Sequence, residues 1–293
     1  MVRILLAWFA FIGLIFWAGK VLWEGDVEVG AQTRSKDALL ANTGVSEDMG
    51  LLQRSLNDAC QTMANFLQAR SPEERSQFIR RPLDTVGKMV RYYALNPDPG
   101  IRPEDISLKD RSVLHIGDVR AIATVWQVAD GRVFDAVFFK EDGEWRLDWE
   151  HFTRYSDHPW VLFLNGDGPS EGEFRVLARE RLALDRRGTN DIGIVAYAPR
   201  FGRTDEAGSE SPEFLVKRDS EQGKLLVAAF RDLEQHHRPF GASPAKTDPD
   251  DLVRLRIRVR RETDADGSKR FVLKQVVAAH WLTVDDPGVV TEP

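Results

Sequence analysis

Hydrophobic positions are spread unevenly along this chain, and their spacing divides it into four regions. Ile4 to Gly19 (ILLAWFAFIGLIFWAG) are sixteen consecutive apolar or glycine positions, and carried on through Lys20 to Trp23 the run reaches twenty. As a helix rising about 1.5 Å per residue, that length spans the roughly 30 Å hydrocarbon core of a bilayer. Trp17 and Trp23 fit an interfacial aromatic belt, and Lys20 can send its ammonium to the headgroups while its stem stays in lipid. No small-x-small cleavage pair stands at a polar boundary after the run, so residues 1–23 read as an uncleaved transmembrane anchor rather than a signal peptide. Residues 24–47 have no sustained apolar period and read as a stalk.

From residue 48 the period becomes helical. Leu52, Leu56, Cys60, Met63 and Leu67 form a stripe running to about Ala69. Ser71-Pro72-Glu73-Glu74 then supplies an N-cap serine, a proline at the first helical position and a glutamate three after the cap. Pro82 opens a third helix, in which Val86, Met89, Val90 and Tyr93 share a face before Asn96 to Gly100 ends it. Strands follow at 113–116, 119–128, 133–140 and 145–152, the last three separated by Asp130-Gly131 and Asp142-Gly143, the pairs that favour tight hairpin turns. Helices followed by an antiparallel meander predict an α+β domain over 48–158.

Beyond 158 a second region, 159–293, reads as β-rich with one helix. Strands are predicted at 174–184, 192–198 and 214–217, a helix capped by Asp219 or Ser220 carries Leu226, Ala229, Phe230 and Leu233, and two long strands close the chain at 252–262 and 270–284. The first of these closing strands has the sharpest alternation in the sequence: Val253, Leu255, Ile257 and Val259 on one face, Arg254, Arg256, Arg258 and Arg260 on the other. Such a row of guanidinium groups can pair with an anionic surface, or it can be a solvated face laced with acids from the next strand.

In the meander, the closing strand places Trp145, Leu147, Trp149 and His151 on one face and Arg146, Asp148 and Glu150 on the other, which sends Asp148 to solvent. Asp135 sits with Val133, Val137 and Phe139 on the neighbouring strand. Asp135 and His151 are therefore the candidate catalytic pair, a general base and an orienting acid if both reach one apolar cavity. The competing reading makes one a solvated strand residue and the other a hydrogen-bonded edge residue.

The order of elements over 48–158, with Ser-Pro-Glu-Glu-Arg opening the second helix, Arg91-Tyr92-Tyr93 ending the third and Gly143-Glu144-Trp145-Arg146-Leu147-Asp148-Trp149 closing the meander, resembles the nuclear-transport-factor-2-like (cystatin-like) α+β superfamily. The resemblance implies a sheet curled around its helices into a cone, which some members use as an isomerase, dehydratase or cyclase pocket and others as a docking surface.

Composition narrows the function classes. A net charge of -6 and a pI near 5.6 disfavour nucleic acid as a partner. A single cysteine, Cys60, excludes an internal disulfide, and its place in the apolar stripe reads as a packed residue rather than a nucleophile. Apart from the adjacent His236-His237, which read as solvated loop residues, no paired metal-ligand spacing occurs, nor does a Gly-rich phosphate loop, a Gly-x-Ser-x-Gly elbow or a His-Glu-x-x-His helix, so no cofactor or metal is expected. The resulting expectation is a single-pass protein of the cytoplasmic membrane with its folded domains outside the cytoplasm, binding the bilayer through residues 4–23 and a protein or anionic envelope partner through those domains. An enzyme using Asp135 and His151, and a subunit of an envelope assembly, are the alternatives.

Overall fold

The computed structural model describes residues 44–291 except 97, 99, 183–187, 204–205, 242–246 and 266. The chain divides into two units between Gln53 and Arg54. Of the first unit the described residues are 44–53, all helical, which includes the end of the expected stalk. The second unit, 54–293, opens on helix α1 (54–68). It continues through α2 (Pro72–Arg75) and α3 (Pro82–Leu95) into four strands: β1 (Ile106–Ile116), β2 (Val119–Val128), β3 (Val133–Glu141) and β4 (Glu144–Leu147). Two short helices, α4 (Trp149–Phe152) and α5 (Trp160–Asn165), lead to β5 (Glu171–Glu180), β6 (Asp191–Pro199), β7 (Ala207–Glu210) and β8 (Phe214–Lys217). The chain then forms α6 (Glu221–Glu234), β9 (Val253–Thr263) and β10 (Lys269–Ala278).

The expected fold class is corrected at its amino-terminal element. Among the described residues no helix is long and apolar enough to cross a membrane. The helical residues 44–53 carry Glu47 and Asp48, and α1 carries Arg54 and Asp58, charges that a lipid-spanning segment would have to bury. The membrane and signal-anchor reading is withdrawn with that element. Residues 4–23, with Trp17, Lys20 and Trp23, lie outside the described residues. What stands is an α+β architecture of two antiparallel sheets.

Sheet A is the meander β1-β2-β3-β4. Its turns follow from the sequence: Asp142 and Gly143 both take positive φ, and at Asp130-Gly131 the glycine does so while the aspartate Oδ1 accepts from Arg132 N. The Ser71 hydroxyl accepts from Glu74 N at 3.2 Å and starts α2 with Pro72 behind it, as the capping pattern requires. Of the stripe read for α3, Met89 is buried and Val86 and Tyr93 are partly buried, whereas Val90 points outward, 48% exposed, and Thr85 is buried in its place.

Sheet B has the order β10-β9-β5-β6-β7, with β8 also pairing β6. One face packs on α5 and α6 through Phe163, Phe174, Val176, Ile194, Leu226, Leu255, Ile257 and Val259, all at most 2% exposed. Each of these side chains contributes roughly 1.5 to 3 kcal/mol by leaving water. The sequence therefore placed the apolar face of β9 correctly. Its partner β10 is an edge strand that ends at Ala278, short of the predicted end at 284. The following residues leave sheet B and pack on sheet A, where Leu282 joins Leu114, Ile116, Ala121, Ala123, Val137 and Phe139. Both sheets belong to the same unit, and this carboxy-terminal segment is one of the ties between them.

A charged cavity between the two sheets

Sheet A buries both of its faces. Phe134 of β3 stacks edge-on to Phe152, which in turn meets Phe66 of α1, so the Phe134, Ala136 and Phe138 face looks to the helices. The alternate residues Asp135, Val137 and Phe139 look the other way, and cross-strand pairing aligns Val125 with Asp135 and Ala123 with Val137. On that second face lies a half-enclosed cavity of about 300 Å³. Leu114, Ala123, Val125 and Val137 form its sheet A wall, Leu252, Val253 and Arg254 its sheet B wall, and Ala229 and Leu233 of α6 with Trp281 and Leu282 complete it. His236 and His237 are exposed at its margin.

The two catalytic candidates are brought together here. His151 Nε2 lies 2.9 Å from Asp135 Oδ2, and both residues are buried. They meet on the side of sheet A away from α1, because His151 is not on a strand. Sheet pairing stops at Leu147, and Asp148, far from facing solvent, is 1% exposed and caps the single turn α4 by accepting from His151 N at 3.2 Å. Its other oxygen accepts from the backbone and hydroxyl of Thr283 at 2.8 and 2.9 Å, which ties the carboxy-terminal segment to sheet A. Burial alone would raise the Asp148 carboxyl, and His151, Thr283 and Arg80 hold it below the ordinary range.

Sequence reasoning missed the guanidinium groups around Asp135. Arg254 Nη1 donates to Asp135 Oδ2 at 2.5 Å, Arg154 Nη2 donates to Asp135 Oδ1 at 3.2 Å, and Asp248 takes both Nε and Nη2 of Arg254 at 2.5 and 3.1 Å. The Arg254 fork also lies over the Trp281 ring at 4.4 Å. Burial opposes ionisation of Asp135, but Arg254, His151 and Arg154 overcome it and hold its carboxyl well below the usual carboxylate range. Asp135 and Asp248 in turn raise Arg254 above its ordinary value despite its burial. An ionised Asp135 only accepts, so the His151 Nε2 carries the proton of their hydrogen bond, while His151 Nδ1 is buried without a partner among the described residues. Arg154 adopts φ 55°, a left-handed conformation uncommon for a side chain of this size.

The arginine row of β9 is not a continuous free surface. Arg254 is inside the cluster just described, and Arg256 is 8% exposed and donates to the carbonyls of Leu282 and Val284. Arg258 pairs with Glu173 at 3.2 Å and Arg260 with Glu171 at 2.8 Å, both across the β5–β9 ladder. The acids of the neighbouring strand thus match this face, and no anionic partner is assigned to it. Nearby, buried Arg175 of β5 meets partly buried Glu150 of α4 at 3.0 Å, tying sheet B to the turn that follows sheet A.

His280 is fully assigned as a neutral ring. Its Nδ1 accepts from Leu282 N at 3.1 Å, its Nε2 donates to the Asp286 carbonyl at 2.7 Å, and burial depresses it to about 4. Among the described residues no group of three or more His, Cys, Asp or Glu side chains has metal-holding geometry. Cys60 is half-buried on α1, and burial raises its thiol, which disfavours the reactive thiolate. No known protein family, curated protein or solved structure matches this chain.

Proposed function

We propose that this chain is a binding protein that holds a small, largely apolar molecule in the cavity between its two sheets. The supporting observation is the cavity itself: about 300 Å³, half-open, walled by aliphatic side chains and the Trp281 ring, with buried polar groups converging at one end. That volume is at the lower end of ligand clefts, which run from roughly 300 to 1,000 Å³, and an apolar wall with few placed polar groups is their usual composition. The walls come from β1, β2 and β3 on one side and from β9, α6 and the segment after β10 on the other, so the site exists only because both sheets are joined.

Acid–base catalysis by Asp135 and His151 is the second reading, favoured by their 2.9 Å contact. It is the weaker one. Asp135 is held ionised by three donors and is a poor base, and the remaining ring nitrogen of His151 is buried.

Isothermal titration of the full chain with 2-naphthol tests the binding reading. One saturable site is expected, and Leu233→Trp, which places an indole at the half-buried wall position on α6, should weaken binding at least tenfold with an unchanged circular dichroism spectrum. Absence of saturable binding, or equal affinity in the folded variant, would refute it.

A further inference from the structure

Resting on that binding reading, the charge and hydrogen-bond balance of the cavity specifies its ligand further. The two carboxylates at the polar end, Asp135 and Asp248, are matched by two guanidinium groups, Arg254 and Arg154. The nearby His280 is held neutral by burial and by its two hydrogen bonds to backbone. The other charged residues of the lining are also engaged: Asp232 lies 3.7 Å from Arg231, and neither Arg238 nor Asp250 is without a partner. A ligand carrying a full charge would lose its hydration on entry and find these charges already compensated.

The hydrogen-bonding capacity, by contrast, is not balanced. Each carboxylate oxygen can accept two bonds. Among the described residues, Asp135 Oδ2 is filled by His151 and Arg254, but Asp135 Oδ1 takes only Arg154, and each oxygen of Asp248 takes only one N–H of Arg254. Three acceptor positions are therefore open among the described residues. On the donor side Arg254 spends its Nε and both Nη2 hydrogens on Asp248 and Thr247 and one Nη1 hydrogen on Asp135, which leaves one.

We infer that the cavity selects an uncharged hydrogen-bond donor on an apolar body, the chemistry of an alcohol or phenol. The hydroxyl donates to the open carboxylate positions at the Asp135, Arg254 and Asp248 cluster, and the ring or chain lies against Val125, Val137 and Leu252.

A matched series reads this directly: 2-naphthol, 2-methoxynaphthalene, 2-naphthoate and 2-naphthylmethylammonium, each titrated calorimetrically into the full chain at pH 7. The expected order places 2-naphthol at least tenfold tighter than the other three. Methoxynaphthalene keeps the size and loses the donor, so equal binding by it overturns the donor requirement. Equal binding by the naphthoate or the ammonium overturns the neutrality requirement. Binding by none of the four removes the binding reading itself and this inference with it. A second arm uses Asp248→Asn, which leaves the Arg254 fork short of one negative charge. The ratio of naphthoate to naphthol affinity should rise at least tenfold, and an unchanged ratio in a folded variant contradicts the charge-balance argument.

Discussion

Replacing Asp135 by asparagine keeps the shape of the side chain and removes the charge that joins β3 to β9. All three partners of the carboxylate are donors: His151 Nε2 and Arg254 Nη1 on one oxygen, Arg154 Nη2 on the other. Whichever way the new amide is turned, its NH₂ faces an N–H. The substitution also leaves Arg154 and Arg254 with Asp248 as the one remaining carboxylate of the cluster, two buried positive charges against one negative. Breaking a buried pair by removing one partner costs roughly 3 to 5 kcal/mol. For a unit the size of 54–293, at roughly 2 to 4 °C per kcal/mol, the thermal midpoint should fall by about 6 to 20 °C. The assay is urea unfolding followed by circular dichroism for Asp135→Asn, Arg254→Met and the double variant. Arg254→Met alone leaves Asp248 unpaired, whereas the double variant restores charge balance between Arg154 and Asp248. The double variant should therefore be less destabilised than the sum of the singles by at least about 1.5 kcal/mol. A loss below about 1 kcal/mol for Asp135→Asn, or additive singles, would show that the cluster does not hold the two sheets together.

Acid should act through His280, whose folded value near 4 lies below an unfolded value of about 6.5. Between these values the unfolded chain binds more protons, so stability falls by about 3 kcal/mol as pH drops from 6.5 to 4 and is unaffected above that window. Urea midpoints against pH should show this slope, and His280→Asn should flatten it. The depressed Asp135 contributes stability that is present above the ordinary aspartate range and is lost only as pH falls through its lower folded value, so its signature lies at more acidic pH than that of His280. Asp148→Ala removes the α4 cap and the Thr283 acceptor together and should cost about 2 to 4 kcal/mol, with hydrogen exchange accelerating at Thr283 before it does at β9. Gly223→Ala would place a methyl onto the Lys217 carbonyl oxygen and cost about 1 to 3 kcal/mol, whereas Gly87→Ala on α3 meets nothing closer than Arg91 Nη1 at 3.9 Å and should gain about 0.5 to 1 kcal/mol, both read as shifts in urea midpoint.

Local chemistry made much of the fold legible. The Asp-Gly turns, the Ser71 and Ser220 caps and the alternation of β9 each depend on neighbours within a few residues, and the structure places each of these elements where that chemistry puts it. The failure at 148–152 has a physical cause. Trp145, Leu147, Trp149 and His151 continue a period of two across the end of β4, so the pattern hides the point where Asp148 stops the strand and caps a helix. The cavity was only half legible. Asp135 and His151 could be named from their types and faces, but the four arginines of the alternating row, Arg254, Arg256, Arg258 and Arg260, are equivalent in sequence and differ only in what lies over them. Arg254 is next to β3 and Asp248, whereas Arg258 and Arg260 look onto solvent and the acids of β5. That difference arises from the packing of one sheet on the other, which no local pattern encodes.

Chemical-shift mapping reads occupancy of the cavity between the two sheets residue by residue. Methyl-labelled protein titrated with 2-naphthol should show saturable shifts at Val125 and Val137 of sheet A together with Leu252 and Val253 of sheet B, and none at the exposed Leu83 or Leu215. Shifts confined to exposed methyls, or an absence of saturable shifts on both cavity walls, would contradict it.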